Sequence, residues 1–410
     1  MFYPFIGAAA MVAALVPIAA QGAPLSFNSA LDLAMQRSEA AHAGRAGQLS
    51  ATEAARGAGR LPDPTLVVGI ENLPVTGPDR LSTTREPMTM KRIGISQEWL
   101  SRGKREARSA AAEAAVQRES LQVQAALAET RLQTALAYVD AFYAGELLKF
   151  TMLMEHHAHE EYEAARGRLA SAAGGSQEVL ALTAARGSAE DESAQVRQEQ
   201  NAALLTLQRW TGLRSEDLLP PPDMAPPSEE QYVAAHPSVM ALSRDLESAR
   251  RQAAVTASER DPNWTWGVSY GQRTGYSDMV SFGVSIPIPL SPGERQDRDT
   301  AAKLALAEKA EADLTEVTRA ASAEYRALLS ESVRLEDRIE RYRIAVLTPA
   351  MQRIAAATAA YASNQSSLVT LYEARHAEVV AQRRLLSLRR DVMRAKLQLR
   401  LKPLEQGAAP

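Results

Sequence analysis

The chain has 410 residues and a formal net charge of −3, from 46 basic and 49 acidic residues. That balance, with no clustered basic face, excludes nucleic acid as a partner. The absence of cysteine excludes disulfides, thiolate metal sites, catalytic thiols and a lipidated N-terminal cysteine. Aromatic residues are only 5% of the chain against 46% for the whole apolar class, so alanine supplies much of that class and points to thin helix-on-helix packing.

In chain order, the first 23 residues carry an apolar run and then small residues around Ala19–Ala23, the pattern of a secretory signal. Its start lacks Lys or Arg, and no charge appears before Asp32. An apolar-periodic helix is predicted over 26–60, with Ser26 or Asn28 as N-cap and Gly57, Gly59 and Pro62 as its stop. Two alternating segments follow, about 64–72 and 89–99, joined by a Pro/Gly-rich connection over 73–87. Leu66, Val68 and Ile70 fall on one face and Thr65, Val67, Gly69 and Glu71 on the other, which is the period of a strand. Ser101-Arg102-Gly103-Lys104-Arg105 starts a helix predicted to run to about Arg166. At 1.5 Å per residue that is about 90 Å, too long for a compact domain and suited to a bundle or coiled coil. After a break from Gly167 to Ser176, a return helix covers 178–211.

A Pro-rich linker occupies 214–236, a shorter helix 238–260, and a second strand pair about 263–271 and 279–289. Trp264, Trp266, Val268 and Tyr270, then Phe282, Val284 and Ile286, alternate with small or polar residues. A long helix to about Ala362, kinked at Pro349, a break at 363–367, a last helix over 368–401 and a tail over 403–410 complete the chain.

The two halves, 24–213 and 237–402, match in order and spacing. Pro62-Asp63-Pro64 corresponds to Asp261-Pro262, and Ile93-Gly94-Ile95-Ser96 to Phe282-Gly283-Val284-Ser285. Gly103-Lys104-Arg105 corresponds to Gly293-Glu294-Arg295, and Val179 to Leu182 with Arg186 corresponds to Leu368 to Leu371 with Arg375. Each half therefore reads helix, strand pair, long helix, break, helix.

Strands of about ten residues with an apolar face, a polar face and flanking aromatics are those of a transmembrane β-barrel; one face of a soluble sandwich gives the same alternation. In lipid no strand edge stays open, and about eight strands are the practical minimum for closure. Four strands per chain then require several chains to share one barrel, and a trimer supplying twelve is one solution.

With these features in hand, the mature chain resembles the TolC-like outer-membrane factors, the exit ducts of tripartite efflux pumps and type I secretion. The duplicated layout, Pro62-Asp63-Pro64, Ile95-Ser96-Gln97 and Gly103-Lys104-Arg105 carry the resemblance. The stretch from Glu71 to Arg108 looks closest to the CzcC/CusC branch that serves heavy-metal pumps. The resemblance implies an α+β membrane protein of Gram-negative bacteria. Its homotrimer would form a twelve-stranded outer-membrane barrel continued by a periplasmic α-helical barrel. It also implies a periplasmic adaptor and an inner-membrane RND pump as partners, outer-membrane lipid around the strands, no cofactor, no enzymatic activity, and a closed tip that the adaptor opens. The tip maps to the two helical breaks, with Arg166, Arg168, Gly174, Gly175 and Glu178 in the first copy and Asn364 and Gln365 in the second. The second copy has no acidic residue there, which departs from an acidic ring in both copies.

Among the remaining motifs, His156, His159 and Glu160 share one face of a helix and suit Zn²⁺ or Cu²⁺; a solvated coiled-coil face explains the same residues. Met88 and Met90 fit packing as well as thioether contacts. Gly103-Lys104-Arg105 is too short for a phosphate loop, and no Gly-x-Ser-x-Gly is present. Three readings follow: a duct for heavy-metal cations, a duct for drugs or secreted polypeptide, and a pore-less periplasmic coiled-coil scaffold.

Overall fold

A computed structural model describes residues 24–404; the signal-like segment lies outside them. The chain begins with α1 (Phe27–Gln36) and α2 (Glu39–Ala58), where one helix is predicted over 26–60. Arg37 caps the end of the first and Ser38 the start of the second, the serine side chain accepting from the Ala41 N–H. Next come β1 (Thr65–Glu71), β2 (Met90–Trp99), α3 (Arg102–Ala170) and α4 (Ser176–Thr211). The predicted stop at Gly167 is overrun by one turn, because an isolated glycine lowers helix propensity without blocking a bond. α4 ends on Gly212 at φ 73, whose N–H caps Gln208.

The Pro-rich linker holds a short helix, α5 (Glu229–Ala234), closed by a reciprocal capping box between Ser228 and Gln231. The second half supplies α6 (Pro237–Ser258), β3 (Trp264–Arg273), β4 (Met279–Ser285), α7 (Gln296–Tyr342), α8 (Thr348–Ala362) and α9 (Leu368–Leu401). β4 stops at Ser285, short of the predicted 289, since Pro287 and Pro289 have no N–H for a ladder. Between α7 and α8 a π turn over Arg343–Leu347 widens the helix just before Pro349, so the expected kink is a wide turn that absorbs the proline's missing donor.

The four strands form one antiparallel sheet in the order β1-β2-β3-β4. The hairpins of the two halves therefore join through β2 and β3, while β1 and β4 each pair on one side only. Buried side chains lie between the helices. One cluster gathers Phe27, Leu31, Leu136, Tyr138, Leu207 and Leu397 beside the linker. Another, near the α3–α4 turn, gathers Met154, Ala158, Leu182, Leu368 and Tyr372. No described helix is long and apolar enough to cross a membrane.

The turns that precede the two return helices mark a register three residues away from their sequence alignment. The helix-ending residues at positive φ are Ala172 and Asn364, and the following N-caps are Gly175 and Ser367. Buried positions then pair as Leu182 with Ala374, Ala189 with Ala381, Val196 with Leu388 and Leu207 with Leu399. A three-residue shift is close to one helical turn and keeps the apolar stripe on nearly the same side, so side-chain pattern alone did not separate the two registers.

Candidate functional site

The sheet has two chemically distinct faces. Strand register stacks Leu66, Ile95, Val268 and Phe282 in one row and Val68, Ile93, Tyr270 and Val280 in the next. Towards the helices, Gln97, Trp266 and Val284 form a third row, and Trp99 pairs with Trp264 at a ring separation of 5.9 Å. Val68 is 70% exposed and Phe282 71%. Every apolar-face residue expected from the sequence within a strand lies on this one face; Ile286 lies just past the end of β4. The expectation omitted Ile93, Ile95 and Trp99, whose alternation in Ile93-Gly94-Ile95-Ser96-Gln97-Glu98-Trp99 carries the same signal, and Val280, which alternates with Ser281 before Phe282.

The opposite face carries Val67, Gly94, Ser269 and Ser281, flanked by Thr65, Ser96, Gly267 and Gly283. Gly94 is required here: a Cβ on it would sit 2.6 Å from that of Ser269. Charges on this face stay near its ends, where Glu71 pairs with Arg92 and Glu98 accepts from Asn263 Nδ2 at 2.8 Å.

The strand-to-helix junction is locked by Lys104. Its side chain is buried, and Nζ donates to Glu259 Oε2 at 2.9 Å and Asn263 Oδ1 at 2.7 Å. Ser101 caps the same helix by accepting from the Lys104 N–H. Lys104 thus fastens the start of α3 to the end of α6.

At the far end the two helical breaks lie together. The first turn closes with Ala173 N–H donating to Arg168 O at 2.8 Å, the second with Gln365 N–H donating to Ala360 O at 2.8 Å. The left-handed residue of the first turn is Ala172, not Gly174 or Gly175. Gly174 serves close packing instead, since a Cβ would meet that of Arg168 at 3.1 Å. Glu178 Oε1 accepts from the Leu368 N–H at 3.0 Å, capping α9 of the other half, and lies 3.9 Å from Arg168 Nη1. The Arg168 guanidinium also lies over the Tyr361 ring, 5.8 Å from its centroid. The structure thus brings together Arg168, Gly174, Glu178 and the Asn364–Gln365 turn. Arg166 stands apart, paired with Glu163 at 3.3 Å. The second copy lacks an acid, and the Glu178 of the first copy caps its helix.

In the histidine cluster, His156 and His157 both reach Glu160, each at 3.3 Å, and the His157 hydrogen bond, followed by the His156 charge, holds the Glu160 carboxyl below its usual range. His159 points instead into an open cleft of about 340 Å³ that His156, Glu155, Glu190 and Arg197 also line. Among the described residues, no group of three or more His, Asp or Glu side chains is placed to hold a metal ion. One turn on, Glu161 is buried against Arg375 at 2.8 Å, and burial pushes its carboxyl up to about 7. The sequence reading did not single out Glu161; its signal was a charge at a core-facing helical position beside Ala158 and Ala165.

A long helical body carrying one four-stranded antiparallel sheet is the architecture of known outer-membrane channels of Gram-negative bacteria. The outer membrane protein VceC from Vibrio cholerae shares it with a TM-score of 0.74 at 18% identity, over 91% of this chain and 94% of that one. CusC, a transmembrane-channel protein, shares it with a TM-score of 0.75 at 16% identity, over 92% and 91%. The CmeC outer membrane channel of Campylobacter jejuni shares it with a TM-score of 0.77 at 14% identity, over 93% and 87%. No protein-family model and no curated protein matches the chain.

Proposed function

We propose that the chain is the outer-membrane subunit of a tripartite efflux system: a passive exit duct that spans the outer membrane and reaches into the periplasm. The observation that carries this reading is the sheet, apolar in the Leu66 and Val68 rows of one face and mostly small or polar on the other, with both outer strands unpaired on one side among the described residues. Lipid contact explains the apolar face, and closure with other copies explains the unpaired edges. A homotrimer supplies the twelve strands of a closed barrel. The 69 residues of α3 extend about 100 Å, which continues the conduit across the periplasm towards an adaptor and an inner-membrane RND pump. A coiled-coil scaffold has no use for the exposed Leu66, Val68 and Phe282 face.

The cargo we propose is heavy-metal cations, on the strength of the stretch from Glu71 to Arg108. The fold serves this reading and a drug duct equally, since CusC, VceC and CmeC match at similar identity. Reconstituted protein is expected to conduct ions across a planar bilayer as a trimer. A deletion strain is expected to become sensitive to metal salts and to keep its drug tolerance. Sensitivity to drugs alone would move the cargo to the second reading, and a soluble, non-conducting protein would restore the scaffold.

In this reading the tip is the gate, and Arg168 and Glu178 hold it shut by tying α3, α4, α8 and α9 together. Converting Arg168 and Glu178 to Gln together is expected to raise single-channel conductance severalfold and to increase antibiotic leakage. Unchanged conductance and leakage would remove both residues from the gate. The same change at exposed Arg166 is expected to do little.

A further inference from the structure

The linker is fastened to the helical body by a polar knot around the buried Tyr232 and His236, which the duct reading does not use. Tyr232 on α5 is fully buried, and its hydroxyl donates to Glu324 Oε1 of α7 at 3.2 Å. Lys402, just past α9, pairs with the same Glu324. His236, the N-cap of α6, is 4% exposed, with its ring 5.6 Å from that of Tyr232. Its Nε2 lies 3.5 Å from Glu324 Oε2 without hydrogen-bond alignment, and its Nδ1 is buried without a partner. Around these groups, Tyr325 donates to Pro227 O at 2.8 Å, Arg326 pairs with Glu229, and the Leu404 N–H donates to Ala235 O at 2.8 Å. The knot therefore joins the linker, α7 and the end of α9.

We propose that His236 is a proton-operated release for this knot, holding the linker docked while its ring is neutral and loosening it when the ring takes up a proton. A neutral ring fits the site as packing against Tyr232. A protonated ring brings a second cation beside the half-buried Lys402, which already pairs with Glu324, and buries an Nδ1–H with no acceptor. Burial first, and then the Lys402 charge, hold the imidazole below its ordinary value, against the opposing pull of Glu324. The sign follows from linkage. A depressed folded-state value means that the knot has its full stability above about pH 6.5 and loses it as pH falls further. Glu324 does not titrate in this range. Although burial works against it, the Lys402 hydrogen bond and charge keep its carboxyl below the usual carboxylate value. Tyr232 is held neutral, its hydroxyl raised chiefly by burial.

Hydrogen exchange on the full-length protein, corrected for intrinsic rates and followed from pH 8 to pH 5, tests this. Peptides over 228–240 and 398–404 are expected to lose protection by about tenfold or more on acidification, while the tip peptides over 160–185 keep theirs. His236→Gln, neutral at every pH, is expected to flatten the dependence. Should that variant fail to fold, Lys402→Met serves instead: with the competing cation gone, a protonated His236 can pair with Glu324, so protection is expected to survive acidification. Wild-type protection that persists at pH 5 overturns the proposal, as does a foldable His236→Gln or a Lys402→Met that loses protection as steeply as wild type. The readout needs no conductance, so it succeeds or fails independently of the duct.

Discussion

Val68→Arg is expected to abolish stable insertion of the sheet, while Val67→Arg, one residue away, is expected to be tolerated. Val68 sits in the row with Ile93, Tyr270 and Val280, between the Leu66 row and the loop end of the hairpin. If that row lies near mid-bilayer, an arginine costs about 2–4 kcal/mol in each copy, and a closed trimer bears the cost in all three. Val67 points to the face of Gly94, Ser269 and Ser281, which the duct reading fills with water. There an arginine remains hydrated. Heat-modifiable migration and the fraction of protein recovered as trimer from the outer membrane measure both variants. Equal tolerance of the two would show that the apolar face does not meet lipid, and a worse effect at Val67 would reverse the assignment of the faces.

Tyr138→Ala is expected to be the most damaging single change in the helical body. Tyr138 is fully buried in α3, and its ring meets Phe27 edge-on at 5.4 Å. Its hydroxyl is placed to donate to Leu25 O and to Leu219 O, each at 2.7 Å. Those carbonyls flank the parallel bridge between Leu25 and Leu218, so one phenol holds the start of the described chain and the linker together. Burial pushes its hydroxyl up to about 12, so it stays a donor across the physiological range. Removing a buried aromatic side chain costs about 3–5 kcal/mol. Tyr138→Phe keeps the ring and removes the hydroxyl donor, while Leu25 O keeps its bond from the Leu219 N–H, for about 1–3 kcal/mol. Urea unfolding followed by the helical signal should order the three proteins as wild type, Phe, Ala. If Phe and Ala were equally destabilised, the hydroxyl would carry the whole effect and the edge-on packing none.

Local features were legible wherever one short stretch decides the outcome. The alternation around Leu66, Val68 and Ile70 specified β1, and its second appearance specified β3 and β4. Pro287 marked the end of β4 in the same way, through its missing N–H, although the alternation ran past it. The proline-free stretch after Arg102 specified a helix of great length, but Gly167 did not end it. The histidines at 156, 157 and 159 were visible as a cluster. Their division, with His156 and His157 on Glu160 and His159 lining a cleft, depends on side-chain directions that spacing does not settle.

By itself, the sequence determined the kind of each long element and the chemistry of each strand face. These rest on periodicity and on residues that end or cap a helix, which act over a few positions. Only the tertiary structure decided how the two halves meet. It paired β2 with β3 in a register that stacks Ile95 on Val268, and set the return helices three residues from the alignment that their apolar pattern suggested. It carried Glu178 to the first N–H of α9, 190 residues along the chain. Each of these contacts joins residues far apart in sequence, where neither partner's neighbours carry a trace of the other. They are fixed by the simultaneous packing of all the helices, which no local pattern contains.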